Sequence, residues 1–301
     1  MEKPGSLSGS WPVPEKLRIG TSTMTAYIAA YDTESPDCLE GVRKIVRVHE
    51  HYELPATFFF VAGLLDHQLD EYVALLKNHP LFEIACHSYT HMPIVDAPRI
   101  CTRGPLERFS YELVDSKKRI EDVFETRIIG FRPPCSGPDG LLHAPEALRL
   151  LNEAGYNYIS SFAWGPDGSL PAPLRHSFTY SEQGYPDLWE IPACGWHENL
   201  LKGNNGIGPL LLCLFPPDMP EAIPPGYIST PEEEFAFNNK PFLDRAQRDH
   251  MPLVSFIWHP WSMNRFDPAM KMLEITFDSI RDRGLQATTF RDYWSGLKQA
   301  S

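Results

Sequence analysis

The chain has 301 residues, 43% of them apolar, and a formal net charge of −12. That length and apolar share suit a globular protein with a substantial core, in one large α/β domain or two smaller ones. The acidic balance argues against nucleic acid and anionic membrane surfaces, which want a basic face, and no apolar run approaches bilayer length. Cys38, Cys86, Cys101, Cys135, Cys194 and Cys213 are scattered without a C-x-x-C pair. They read as buried thiols rather than a zinc knuckle or redox couple.

Residues 1–22 read as a loose leader without a hydrophobic signal core, so the cytoplasm is the default compartment. The remainder, 23–301, reads as a single domain. Its first strand is predicted at Met24–Tyr31 and stops at Asp32-Thr33-Glu34-Ser35-Pro36. A helix follows over Asp37–Tyr52, with Leu39, Val42, Ile45 and Val46 at helical spacing. His49 and His51 close it as expected surface residues. Pro55–Val61 is a second strand, Asp66–Lys77 a helix, and Phe82–Cys86 a third strand running into His87-Ser88-Tyr89-Thr90-His91. A long helix is expected over 104–125, a strand at Ile128–Phe131 ending in Arg132-Pro133-Pro134, a helix at Ala144–Ala154 and a strand at Tyr156–Ser161. Leu188–Pro192 is another short strand. Residues 197–240, rich in Pro, Gly and Asn, form an insertion that breaks the rhythm. Within it Pro231-Glu232-Glu233-Glu234 reads as a solvated helix start. Leu253–Trp258 is a buried strand ending at His259-Pro260. A helix over Pro268–Arg283, a strand at Leu285–Thr288 and a helix at Phe290–Lys298 complete the chain.

Alternating strands and helices imply a parallel sheet, and their number suits a closed or partly closed β/α barrel better than an open sheet. No glycine-rich phosphate loop follows any strand. In a β/α barrel the chemistry sits at the C-terminal strand ends. Those ends carry Asp32 and Glu34, His87 and His91, Arg132, and His259. If the chain turns helical after the third strand, His87 and His91 lie on one face at i and i+4. Two imidazoles and one carboxylate make a three-ligand site with open positions, the composition of a catalytic zinc. Of Asp32 and Glu34, one can ligate while the other takes a proton from attacking water. His259 can protonate a leaving amine, Arg132 can orient the base, and the Cys135 N–H can donate to an oxyanion.

Tyr31-Asp32-Thr33-Glu34, His87-Ser88-Tyr89-Thr90-His91, Phe131-Arg132-Pro133-Pro134 and Trp258-His259-Pro260, in this order, resemble the motifs of the polysaccharide deacetylases, the NodB-homology or carbohydrate esterase family 4 enzymes. The likeness spans about residues 24–296 and is nearest the leaderless branch of peptidoglycan deacetylases and cyclic-imide hydrolases. It implies a distorted (β/α) barrel and hydrolysis of an N-acetyl amide with one divalent metal ion, zinc by preference. Carried over, His87 and His91 are ligands, Asp32 the base, His259 the acid, Arg132 the partner of Asp32, and Cys135 N–H an oxyanion donor. The family's usual second aspartate is replaced by Thr33, which makes Glu34 the third ligand, with Asp32 the alternative. Cys135 stands where an aromatic residue is usual, and the fourth motif is not evident near Ser160–Trp164. Metal-free allantoinases and imide hydrolases of this branch tend to lose the second histidine, present here as His91.

Trp258, Trp261, Trp164 and Tyr89 are candidate substrate contacts, whereas Trp189 reads as core. Trp196-His197-Glu198-Asn199 reads as a rim loop, not a second metal site. The expected partner is a small-molecule or oligosaccharide substrate, and a homo-oligomer is compatible with a barrel. The alternatives are a cyclic imide or ureide hydrolase and a non-catalytic carbohydrate-binding barrel.

Overall fold

The computed structural model describes residues 25–97, 101–165, 172–195 and 230–300. The expected leader, the Trp196–Asn199 loop and residues 197–229 of the expected insertion lie outside the described residues. Along the described chain the elements run β1 (Ala26–Thr33), α1 (Cys38–Tyr52), β2 (Ala56–Phe60), α2 (Leu69–Leu76), β3 (Phe82–Cys86), α3 (Ser116–Phe124), β4 (Gly130–Phe131), α4 (Pro145–Glu153), β5 (Tyr158–Ile159), β6 (Phe178–Tyr180), β7 (Tyr185–Glu190), α5 (Pro231–Glu234), α6 (Lys240–Arg248), β8 (Leu253–Trp258), α7 (Pro260–Phe266), α8 (Lys271–Asp282), β9 (Gln286–Ala287) and α9 (Phe290–Ala300).

The strands form one sheet in the order β6-β7-β5-β4-β3-β2-β1-β8, with β9 on the start of β1. β6–β7 is an antiparallel hairpin, and the remaining pairs are parallel. The α/β architecture is therefore the expected one, and among the described residues the strand ladder runs from β6 to β8 without closing on itself. Its two flanks touch where Cys194, just after β7, donates its N–H to the Ser255 carbonyl of β8 at 2.8 Å.

Strand alternation divides the core into two faces. Tyr27, Ala29 and Tyr31 of β1 pack with Val42 and Ile45 of α1 and Leu273 and Phe277 of α8. Ile28 and Ala30 join Phe59, Ala85, Ile129, Tyr158, Trp189 and Leu253 on the other face, against Phe290 and Leu297 of α9. Small and aromatic residues let β1 be covered on both sides, as a central parallel strand must be. α7 lies close on α1: a Cβ on Gly41 would sit 2.1 Å from the Pro260 carbonyl oxygen, so only glycine fits there.

Several expectations change. β6, α6 and α7 add elements that periodicity did not show, and the strand expected at Leu188–Pro192 runs instead over Tyr185–Glu190 as β7. The helix expected from Pro268 begins at Lys271. Thr230 caps α5 in a reciprocal capping box with Glu233, but Glu234 is buried rather than solvated. His49 is also buried, not on the surface. Its Nδ1–H donates to the Leu54 carbonyl and its Nε2 accepts from the Tyr31 hydroxyl, both at 2.7 Å. Of the cysteines, Cys38, Cys86 and Cys194 are buried as expected, while Cys101 and Cys135 are half-buried.

Candidate active site

Asp32 follows Ile28 and Ala30 on one face of β1, and Glu34, just past the strand, continues that register. Thr33 between them points to the other side. Parallel pairing aligns Asp32 with Phe59 and Cys86 with Phe131, so His87 and Arg132 emerge beside the two carboxylates. β8 pairs with β1 up to Tyr31 and Trp258, which delivers His259 to the same edge.

His87 and His91 converge, with ring centroids 5.0 Å apart, but not on a helix as the spacing suggested. Residues 87–91 form an irregular turn in which Ser88 (φ 70°) and His91 (φ 63°) are left-handed. Non-glycine residues hold that conformation only when their surroundings impose it. The Ser88 hydroxyl accepts the His91 N–H at 3.0 Å. Glu112, fully buried, accepts the N–H groups of Tyr89 (3.0 Å) and Thr90 (2.8 Å) and the Thr90 hydroxyl (2.7 Å). Glu112 lies in a π-helical turn, Tyr111–Asp115, that leads into α3. Sequence reasoning missed it. The available signal was a carboxylate three residues after Phe109 and four before Ser116, on the buried stripe of the helix.

Glu34, His87 and His91 bring one donor atom each within 4.8 Å of one another, a set of metal-ligand type. Glu34 Oε2 lies 2.9 Å from His91 Nε2 and 3.8 Å from the Nε2 atoms of His87 and His259. His87 Nδ1–H donates to the Arg132 carbonyl at 2.8 Å, which leaves Nε2 facing the carboxylates with its lone pair. The donor set thus fits a divalent ion. Burial works to raise the Glu34 carboxyl, but His259, His87 and His91 outweigh it and hold Glu34 well below the usual carboxylate range. Burial works to lower His91, while its bond to Glu34 lifts it above the ordinary histidine value.

Asp32 is divided between two partners. Oδ1 accepts from Arg132 Nη1 at 2.6 Å, while Oδ2 lies 3.9 Å from His87 Nε2 and 4.0 Å from His259 Nε2. Arg132 is buried, its guanidinium 4.0 Å from the Phe59 ring centre and bonded through Nη2 to the Ser160 hydroxyl at 3.1 Å. Beyond Ser160, the Glu190 carboxylate accepts from Ser161 N–H (2.7 Å), Phe162 N–H (3.1 Å) and Tyr180 O–H (2.6 Å). Burial pushes its pKa up to about 7. Cys135 adopts φ 49°, and its carbonyl accepts the Cys101 thiol at 2.8 Å.

The four aromatic candidates fare differently. Trp261 is at the site, but in a role not foreseen: its indole Nε1–H donates to Glu34 Oε1 at 2.8 Å. Trp258 is corrected. It is fully buried among the helix-facing core, because alternation turns it to the side opposite His259. It offers a substrate no surface. Trp164 is also buried, at 8% exposure. Tyr89 is partly exposed but stacks on Tyr111 at 4.2 Å, with its hydroxyl toward Asp66, outside the converging set.

Residues 29–159 match the polysaccharide deacetylase family model. No curated protein matches the chain. Among solved structures, a Mycobacterium smegmatis protein described as a polysaccharide deacetylase superposes with a TM-score of 0.62 at 16% identity, over 99% of this chain and 96% of its own. An allantoinase gives 0.62 at 12% identity, over 99% and 98%. A Pseudomonas aeruginosa PAO1 protein described as a polysaccharide deacetylase gives 0.59 at 13%, over 91% and 90%. At these identities the likeness is one of fold. The family match takes in Asp32, Glu34, His87, His91 and Arg132, and over that span the chain is similar to the polysaccharide deacetylases.

Proposed function

We propose that this protein is a metal-dependent deacetylase that hydrolyses the N-acetyl amide of an amino sugar or a related saccharide. The match to the polysaccharide deacetylase model supports a hydrolase of carbon–nitrogen bonds other than peptide bonds. The observation that carries the finer reading is the convergence of Glu34, His87 and His91 beside an Asp32 whose outer oxygen is unclaimed by Arg132.

In this reading Glu34, His87 and His91 hold one divalent ion, with zinc the first choice for two imidazoles and a carboxylate. Such an ion supplies Lewis-acid polarisation of a carbonyl and acidification of water. Asp32 Oδ2 takes the proton of the attacking water while Arg132 fixes Oδ1 and so the carboxylate plane. His259, across the site, gives a proton to the departing amine, leaving acetate and a free amine. The Cys135 N–H steadies the developing oxyanion. Trp261 also walls a surface cleft of about 530 Å³ with Pro36, Arg43, Gln68, Asn264 and Arg265, which has the mixed aromatic and polar lining a sugar needs.

The allantoinase of the same fold motivates a second reading, opening of a cyclic imide or ureide, since water attack on a carbonyl serves both reactions. The presence of His91 at 2.9 Å from Glu34 favours the metal-dependent reading. The test is an acetate-release screen over N-acetyl sugars and oligosaccharides beside a ring-opening screen over cyclic imides and ureides. Each is run on metal-depleted and zinc-reloaded protein. Acetate release restored by about one zinc per chain is expected. Full activity in metal-free protein, or turnover of cyclic amides alone, overturns the proposal.

A further inference from the structure

We propose that Trp261 is a positioning residue that divides the two oxygens of Glu34 and leaves one of them for the metal. The inference rests on the reading of Glu34 as a ligand. Glu34 Oε1 is taken by the Trp261 indole N–H at 2.8 Å. Oε2 is the oxygen that faces His91, His87 and His259.

An indole N–H is a donor only, so Trp261 cannot itself ligate a cation. Its bond to a carboxylate is charge-assisted, and the partly buried setting of both groups strengthens it. The donor is also firmly placed. Trp261 sits in the first turn of α7, directly after Pro260, and Pro260 lies against Gly41 of α1 at a separation no side chain would permit. Glu34 lies in the loop that enters α1. The close α1–α7 contact therefore sets the distance between the indole and the carboxylate. A bond between residues 227 positions apart depends on that contact, not on local geometry.

Without the N–H, Oε1 is released and the carboxylate is free to present both oxygens to the ion. A second oxygen would fill a position needed by water or substrate. Partners of this kind, one bond behind a ligand, typically change metal affinity or activity by about 10–100-fold when removed.

The experiment titrates metal-depleted protein with Co2+, following visible absorption, for wild type, Trp261→Phe and Glu34→Gln. Phenylalanine keeps an aromatic ring and loses the donor. The expected result for Trp261→Phe is weaker visible absorption at saturation, from the higher coordination number, with binding about tenfold weaker or more. Glu34→Gln should abolish the titration. An unchanged spectrum for Trp261→Phe at saturation, with Glu34→Gln unable to bind, overturns the role of Trp261 and leaves the ligand reading standing. Normal cobalt binding by Glu34→Gln overturns the ligand reading itself. Should Trp261→Phe not fold, benzothienylalanine placed at position 261, which has the indole shape without the N–H, answers the same question by the same spectrum.

Discussion

Asp32 and Glu34 are two carboxylates on one face at the end of β1, yet their surroundings part them. Arg132 grips Asp32 at 2.6 Å, whereas Glu34 is ringed by three imidazoles that keep it ionised against the cost of burial. The division of labour follows from which cations face which oxygen. Asp32→Asn should retain the metal and lose about 10²–10⁴ in turnover, because the amide still accepts from Arg132 but cannot take a proton. Metal analysis beside kcat checks this, and loss of metal would instead make Asp32 the ligand. His259→Ala should lower kcat by a similar factor at unchanged metal content. The same assay reads it, and a normal rate would remove His259 as the acid.

The turn after β3 shows how an element carries a site that its own residues cannot hold. Ser88 and His91 are left-handed without being glycine. The strain is offset by Glu112, whose buried carboxylate receives the N–H groups of Tyr89 and Thr90 between the histidines. π-Helical turns recur at functional sites, and here Tyr111–Asp115 presents Glu112 toward the turn. Glu112→Gln replaces one acceptor oxygen with a donor that faces other donors. It should cost about 1–3 kcal/mol of stability and weaken metal binding about 10–100-fold, as loss of an outer-shell partner does. Denaturant unfolding and a competitive chelator titration measure the two effects. Intact metal affinity in a destabilised variant would confine Glu112 to a structural role.

For the whole molecule, the helix-facing core is pinned by a buried histidine. His49 bonds to Tyr31 and Leu54 and packs edge-on to Phe82 and Phe277. Burial lowers its pKa from 6.5 to about 4. Between those values the unfolded chain binds a proton that the folded chain refuses. The stability His49 contributes is therefore fully present above about pH 6.5 and lost as pH falls toward 4, in total about 3 kcal/mol. Urea unfolding at pH 7 and pH 5 tests this. Wild type should lose about 2 kcal/mol between them on this account, and His49→Gln should be less stable at pH 7 with a flatter dependence on pH. An equally steep loss in the variant would place the acid sensitivity elsewhere. Among the described residues no helix is long and apolar enough to cross a membrane.

What was legible in the chain alone is what local pattern controls. β3 and β8 have their expected bounds, β1 is displaced by two residues, and the polar residues at their ends emerge together, because apolar runs and their stops are properties of neighbouring residues. Alternation carried past Tyr31, where the strand was expected to stop, sets Asp32 and Glu34 on one side. Alternation in β8 equally implied that Trp258 faces away from His259, a signal present but unused. The order of the strands and the approach of α7 to α1 decided the rest. They brought Arg132 to Asp32, Ser160 to Arg132 and Trp261 to Glu34 across as many as 227 positions. They also buried Glu112 and His49, whose polar side chains look like surface residues until their partners arrive. The ends of strands and the chemistry they carry are local and readable, but the hydrogen bonds that aim each group belong to contacts that exist only once the chain has folded.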